Sequence, residues 1–357
     1  MRHLRRRLLI SATIAACLSS LITPVTSAAA DPAPPPAALG LSSVQPELRD
    51  RVLGAGWHAS ADVALAATGD ATGFHVLTAT AATGYQWRTV ATLSEPGMDT
   101  DQWIGNACLT GSGGRIVAVY APRHFTNRPW LFGRGAFAAV VDVQTGAVTK
   151  LKDQVTLAYF NPGCGAGDTV ALTQGVSDRH GTTRLLTVDT VTKRVTRAVV
   201  AEGQVTSAVP VGGTVVAAHG TRLVEVQDGG ALRQLADAGS VPFDLRATAD
   251  GGVAFAARDG ESVRIRQYAA GQTRELASGP LGELSVRSGA NGRVFLVGRA
   301  DRQEALPQGV SLLDAPASAT VSSEGGLAIT AAARRGLRAG PLASAQGDDR
   351  RGSSPDR

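Results

Sequence analysis

Lysine is almost absent from this chain of 357 residues and occurs only at Lys150, Lys152 and Lys193. The formal net charge is +5, but four of the positive charges are arginines within the first seven residues. If those residues belong to a cleaved leader, a net charge of about +1 and no basic stripe remain. Nucleic-acid binding is therefore not expected.

The motifs of common catalytic and cofactor sites are also missing. The sequence has no G-x-S-x-G elbow, no H-E-x-x-H pair, no Walker loop and no Asp-rich calcium loop. Residues 163–167, GCGAG, resemble a dinucleotide fingerprint, but a strand pattern and not a helix follows them. The histidines after the leader lack metal-ligand spacing: His58, His75, His124, His180 and His219. We assign no catalytic, cofactor or metal site.

Residues 1–30 have the plan of a secretory signal peptide, with cleavage predicted near Ala30. An arginine-rich start, MRHLRRR, precedes an apolar stretch and the small residues SAAA. The apolar stretch contains Ser and Thr, reaches Pro24 and falls short of the ~20 apolar residues that a membrane span needs. We therefore expect a secreted protein without a membrane anchor after cleavage. A twin-arginine pattern (residues 5–9) and a lipoprotein box (residues 14–17) leave two other export routes open, and cell-wall association is a further alternative.

The cysteine count favours a disulfide. With Cys17 in the leader, Cys108 and Cys164 remain, an even pair in an exported protein. Two unpaired buried thiols are the alternative. Neither cysteine has the C-x-x-C spacing or the neighbouring histidine of a metal site.

A repeated strand pattern dominates residues 50–330, after a Pro/Ala-rich linker at residues 31–49. An apolar strand recurs every 33 to 54 residues. Its seven copies are DVALAAT, RIVAVYA, TVALTQG, TVVAAHG, VAFAARD, RVFLVGR and LAITAAA. An alternating hairpin follows each of the first six copies, and from the second copy onward a leading strand and a glycine cluster precede most of them.

Four strands in each unit predict an all-β fold, a β-propeller of six to seven four-stranded antiparallel blades with the last blade incomplete. Helices should be nearly absent, and we expect a monomer. A β-sandwich is the weaker alternative. Cys108 and Cys164 fall on the leading strands of blades two and three, which would bring them together if leading strands are innermost. Such a bridge is worth roughly 4 kcal/mol in the chain-entropy model.

The end of the chain differs in composition. Residues 331–357 contain no aromatic residue and are expected to be disordered. They are either a tail or the product of a truncation or frameshift in a longer gene.

One long insertion is the candidate recognition element. The segment APRHFTNRPWLFGRGA separates the core strand of blade two from its hairpin, where most other blades need only a few residues. Insertions on rigid scaffolds often carry recognition, and Trp and Arg often dominate contact energies. We predict ligand contacts from Trp103, Arg123, His124 and Trp130. The structural alternative is that the aromatic residues only cap the blade edge.

Several stretches resemble known families. The hairpin VVDVQTGAVTKL is similar to those of quinoprotein-like and lactonase-like propellers, but the recurrent Trp of quinoproteins is missing, so quinone binding is not implied. TGDATGFHVL, WIGNACLTGSG and LAYFNPGCG resemble the N-terminal region of large secreted actinobacterial proteins, some with golvesin-like or RHS-type C-terminal domains. That resemblance implies export and a propeller-like region, with no defined activity.

The sequence thus favours an exported binding or interaction module whose partner is an unknown protein or a carbohydrate of the cell wall or extracellular space. A propeller enzyme of lactonase-like or polysaccharide-cleaving type is one alternative. An N-terminal fragment of a larger secreted protein, without independent activity, is the other.

Overall fold

Six β-sheets follow one another along the chain in the computed structural model, which describes residues 46–50, 57–59, 63–80, 84–158, 160–176 and 181–313. The predicted leader, most of the linker, the expected seventh strand copy and the tail lie outside these residues. Valine-rich apolar runs form the strands because β-branched side chains favour strands, and continuous apolar runs suit a sheet that is covered on both faces.

The first three sheets contain eleven strands. Sheet one has β1 (Val63–Gly69), β2 (Phe74–Thr80) and β3 (Arg88–Leu93). Sheet two has β4 (Trp103–Leu109), β5 (Arg115–Pro122), β6 (Phe137–Asp142) and β7 (Val148–Lys150). Sheet three has β8 (Gly163–Cys164), β9 (Thr169–Gly175), β10 (Thr182–Asp189) and β11 (Arg194–Glu202).

The last three sheets contain twelve strands. Sheet four has β12 (Val205–Val211), β13 (Thr214–His219), β14 (Arg222–Val226) and β15 (Leu232–Asp237). Sheet five has β16 (Pro242–Ala247), β17 (Val253–Asp259), β18 (Ser262–Ala269), β19 (Gln272–Pro280) and β22 (Arg302–Gln303). Sheet six has β20 (Leu284–Ser288), β21 (Val294–Gly298) and β23 (Val310–Leu313).

Each sheet packs face to face on the next, which is the propeller arrangement. Five apolar clusters fill the successive interfaces, from sheets one and two to sheets five and six. Leading strands β4, β8, β12, β16 and β20 are innermost, since each of the first four contacts the leading strand of the following sheet. The predicted all-β propeller is confirmed. Helical structure in the described residues is limited to short 3-10 turns and the helices near residues 49–50 and 129–134.

The disulfide between Cys108 and Cys164 is present, with the two Cα atoms 5.9 Å apart. It joins β4 to β8 and so ties sheet two to sheet three beside the axis. Both cysteines are buried within the apolar cluster between these sheets. The predicted bridge and its position are therefore confirmed.

The turns between first and second strands meet around the axis. The Gly111 amide donates to the Gly167 carbonyl of the next sheet over 3.0 Å. In sheet six the Asn291 amide donates to the Gly111 carbonyl over 2.8 Å. Sheets two and six are thus in direct contact at this end of the axis.

Sheet six departs from the repeat. After β21 the chain crosses to sheet five, where β22 pairs with β19, and it then returns as β23 to pair with β21 in parallel. All the other named strand pairs are antiparallel. The sequence predicted a hairpin over residues 309–321 here. Its first strand is present as β23 but pairs in parallel with β21, and residues 314–321 lie outside those that the structure describes. The edge of β19 is occupied by β22, from the connection between β21 and β23.

Two arginines on outer strands link neighbouring sheets. Arg88 of β3 donates from Nη2 to the Val143 carbonyl of sheet two over 2.8 Å. Arg197 of β11 donates in the same way to the Val226 carbonyl of sheet four over 2.9 Å. Val143 directly follows β6 and Val226 ends β14, the third strands of their sheets. The two arginines therefore make equivalent contacts.

Removing the disulfide should lower the free energy of unfolding. We expect the Cys108→Ser/Cys164→Ser double variant to lose up to roughly 4 kcal/mol, because the unfolded chain regains the freedom of the loop between the cysteines. Urea titration followed by tryptophan fluorescence measures the loss. Wild type treated with dithiothreitol should behave like the variant, and an unchanged urea midpoint in both would contradict the prediction.

Gly163 should tolerate no side chain. A Cβ atom there would lie 1.8 Å from the Ala208 carbonyl oxygen of sheet four, whereas a Cβ at Gly167 meets nothing within 4 Å. Overpacking a tight contact costs roughly 1–3 kcal/mol. We expect Gly163→Ala to lower the thermal midpoint clearly and the matched variant Gly167→Ala to leave it nearly unchanged, as measured by calorimetry. Equal midpoints for the two variants would refute the close contact.

Candidate functional site

The insertion of blade two is an ordered structure anchored in the core. It consists of a 3-10 turn, Arg123–Asn127, and a short helix that we call α1, Pro129–Arg134. Phe125 and Leu131 are buried in the same apolar cluster as the disulfide. The Phe132 carbonyl accepts hydrogen bonds from the Leu157 amide at 2.8 Å and the Thr156 hydroxyl at 3.1 Å. The insertion is therefore held from both sheets two and three.

Strand direction fixes which end of the propeller carries the insertion. In an antiparallel sheet the connection between strands two and three leaves at the end opposite the connection between strands one and two. The insertion joins β5 to β6, the second and third strands of its sheet. It lies at the opposite end from the ring of turns around Gly111.

The outer face of the insertion is cationic and carries one large apolar side chain. Trp130 is 48% exposed, whereas tryptophan is highly buried on average. Arg123, His124 and Arg128 are exposed on the same segment. Val176, at the end of β9 against which α1 packs, is exposed as well. We call Arg123, His124, Arg128 and Trp130 the insertion surface.

An aromatic row supports the insertion surface from below. Ring centroids lie 6.0 Å apart for Trp103 and Tyr120, 5.8 Å for Tyr120 and Phe137, 6.3 Å for Phe137 and Phe125, and 5.1 Å for Phe125 and His124. His124 forms the exposed end of the row.

Trp103 lies at the other end of this row and is only 2% exposed. It fills the interface between sheets one and two. The expectation that it contacts a ligand is therefore corrected: its indole belongs to the core because it packs against Tyr120, and it positions the insertion from beneath.

Arg123 is paired with Asp101 of the preceding connection. The guanidinium donates to the carboxylate, and this hydrogen bond holds the pKa of Asp101 below its usual range. Both side chains are more than half exposed, so solvent screens the pair and Arg123 can exchange Asp101 for a ligand at little cost.

Two acids on or just after the leading strand of sheet five are engaged in structural contacts. Asp244 pairs with Arg246 on its own strand and with Arg287 of sheet six, whose Nη1 lies 3.3 Å from Oδ2. Asp250 accepts hydrogen bonds from Thr248 at 2.5 Å and Gln267 at 2.9 Å. A propeller enzyme would need acids or histidines of different blades to converge on the channel mouth, and these two carboxylates are instead held by cationic and amide partners.

Within the described ranges, no group of three or more His, Cys, Asp or Glu side chains is placed to hold a metal ion. Across those same ranges, none of the helices has the length and apolar character needed to traverse a bilayer.

One Asp–His–Thr arrangement is structural. His75 Nε2 lies 3.0 Å from Asp70 Oδ2, and His75 Nδ1 lies 3.0 Å from Thr92 Oγ1. Asp70 also accepts the Thr72 amide at 2.7 Å and the Thr72 hydroxyl at 2.6 Å, which closes the turn between β1 and β2. Partial burial raises the pKa of Asp70, but the Thr72 and His75 contacts outweigh it and lower the value to about 2.

Asp70 should make stability depend on pH in the acid range. Its folded pKa of about 2 lies below the unfolded value of about 3.9, so its contribution is present above pH ~4 and is lost as the pH falls toward 2. Because the side chain is 48% exposed, we expect Asp70→Asn to cost less than about 1 kcal/mol at pH 7. The difference in urea midpoint between variant and wild type should be present at pH 7 and should shrink at pH 2.5. The exposed Asp99→Asn serves as control, and a constant difference at both pH values would contradict the assignment.

No protein-family model matches this chain, and no curated protein matches its sequence. Among solved structures it is similar to TolB from Acinetobacter baumannii, with 17% identity, 65% of this chain and 57% of that chain covered, and a TM-score of 0.45. A putative 6-phosphogluconolactonase from Bacteroides fragilis NCTC 9343 shows 12% identity, 68% and 76% coverage and a TM-score of 0.38. The acylaminoacyl peptidase of Pyrococcus horikoshii shows 10% identity, 67% and 42% coverage and a TM-score of 0.41. With identities of 10–17% and TM-scores of 0.38–0.45, these similarities assign no activity or partner to this chain.

Proposed function

We propose that the protein is a binding module that acts outside the cytoplasm and uses the insertion surface to hold an acidic polysaccharide. The observation that carries the proposal is the half-exposed Trp130 on a helix fixed to the disulfide-linked sheets. A rigid anchor loses little conformational entropy on binding, so more of the contact energy appears as affinity.

The composition of the insertion surface supports a carbohydrate with carboxylate groups. An indole can pack against the apolar face of a sugar ring while its N–H stays available for a hydrogen bond. Arg123 and Arg128 offer charge-assisted hydrogen bonds to carboxylates, and a guanidinium is suited to bidentate contacts with such groups. An acidic protein segment is the competing ligand.

The extracytoplasmic location rests on chemistry and on resemblance. Disulfides persist in oxidising compartments and are rare in the cytosol, and this chain has one between two sheets. The signal-like residues 1–30 and the resemblance to secreted actinobacterial proteins support the same proposal.

The decisive substitution is Trp130→Ala. We expect wild type to bind alginate and the variant to bind it at least tenfold more weakly, because truncation of an exposed anchor removes contact area while the core is unaffected. Affinity electrophoresis in gels that contain alginate measures the change, with thermal midpoints recorded for each variant.

Val241→Ala is the matched control. Val241 is also an exposed apolar residue, in the connection between β15 and β16 at the same end of the propeller. Its truncation should leave alginate binding unchanged. Dextran, which is neutral, should bind weakly or not at all. If wild type does not bind alginate, or if Trp130→Ala and Val241→Ala bind it equally well, the insertion surface is not a polysaccharide site.

A further inference from the structure

A cavity lies at the end of the propeller opposite the insertion. It has a volume of about 510 Å³ and is formed by three turns between first and second strands, at residues 165–167, 211–214 and 247–251. It extends outward between sheets three and four, where Thr187, Thr196 and Arg197 complete its wall. Small-molecule sites in proteins have volumes of roughly 300–1,000 Å³.

The lining is rich in hydroxyl groups and backbone. Five threonines from three sheets line the cavity: Thr169, Thr187, Thr196, Thr214 and Thr248. Glycines bring the main chain to the surface, and the adjacent Gly212 and Gly213 both have positive φ, which suits glycine alone at little cost. None of the lining residues is acidic or aromatic. The lining therefore offers hydroxyl and backbone groups for hydrogen bonds, but no carboxylate for a cation and no aromatic ring for stacking.

Arg197 supplies the single charge of the cavity. Its Nη2 donates to the Val226 carbonyl, which fixes the guanidinium between the sheets. Its Nε is buried and makes no hydrogen bond. The Asp228 carboxylate lies 3.2 Å from this Nε and forms an ion pair with Arg197, although Asp228 is fully exposed and does not line the cavity. A guanidinium has five N–H donors, so the Nη1 group and the second Nη2 hydrogen can still serve a ligand.

We propose that this cavity binds a small polyhydroxylated anion, that is, a sugar acid or a sugar phosphate. The anionic group would meet Arg197, and the sugar hydroxyls would meet the threonines and the glycine backbone. Charged hydrogen bonds to a partly buried guanidinium are stronger than those of a neutral hydroxyl, so the anion would govern affinity. No lining residue is acidic, and the carboxylate that pairs with Arg197, that of Asp228, is fully exposed, so solvent screens its repulsion of such a ligand.

Matched small ligands test the proposal. Titration calorimetry of the full chain with D-glucuronate, D-glucose 6-phosphate and D-glucose compares a carboxylate, a phosphate and a neutral sugar on one ring. We expect at least one anion to bind at millimolar concentration or below, and D-glucose at least tenfold more weakly. The tighter of the two anions identifies the preferred group. Equal affinity for all three ligands, or no heat from either anion, would overturn the proposal.

The structure offers a matched pair of arginines as the variant test. Arg197→Gln and Arg88→Gln each remove an equivalent hydrogen bond to the carbonyl of a neighbouring sheet. Only Arg197 lines the cavity. We expect Arg197→Gln to weaken anion binding at least tenfold and Arg88→Gln to leave it unchanged, with similar small losses in thermal midpoint. Equal effects on binding would mean that the arginines act only on the scaffold.

A second variant covers the case in which Arg197→Gln does not fold. Thr196 is exposed on the outer strand β11 and lines the cavity, so Thr196→Phe would fill the space without touching the core. This variant should abolish anion binding while Trp130→Ala retains it. That pattern separates the cavity from the insertion surface, and retained binding in Thr196→Phe would contradict the assignment.

Discussion

The close approach of neighbouring sheets at the axis is the constraint on which the rest of the structure depends. A Cβ atom at Gly111 would lie 1.7 Å from the Ala166 carbonyl, and one at Gly163 would lie 1.8 Å from the Ala208 carbonyl. Only glycine fits where main chains touch in this way. The small residues near the axis let the larger apolar side chains further out interdigitate between sheets, and this burial supplies most of the stability.

The interface of sheets two and three adds a covalent bond to this contact. Cys108 and Cys164 lie in one apolar cluster with Phe125 and Leu131 of the insertion. The same packing therefore stabilises the scaffold and positions the exposed segment. A recognition element on a mobile loop would have to be ordered on binding, whereas this packing already holds the proposed recognition element in place.

The sequence could predict what is repeated and what is local. Strand recurrence and glycine clusters indicated the propeller, and equivalent positions of Cys108 and Cys164 indicated the bridge. The burial of Trp103 could not be read in this way, because it depends on Tyr120 in the next strand and on the facing sheet. The crossing of β22 to sheet five depends on a free edge of β19, which no local pattern records. The cavity beside Arg197 is formed by turns that are up to some 80 residues apart in the sequence. Threonine by itself does not indicate a binding site.

The two ends of the propeller present different chemical groups because different parts of the chain reach them. At the insertion end the exposed groups are side chains, an indole and arginines, which lie above buried aromatic rings. At the other end, short glycine turns bring backbone and hydroxyl groups close to one guanidinium. Packed sheets separate the two ends, and the insertion surface and the cavity have no residue in common. Since coupling between sites requires an element with two states, occupancy at one end should leave affinity at the other unchanged, and the scaffold can carry two independent specificities.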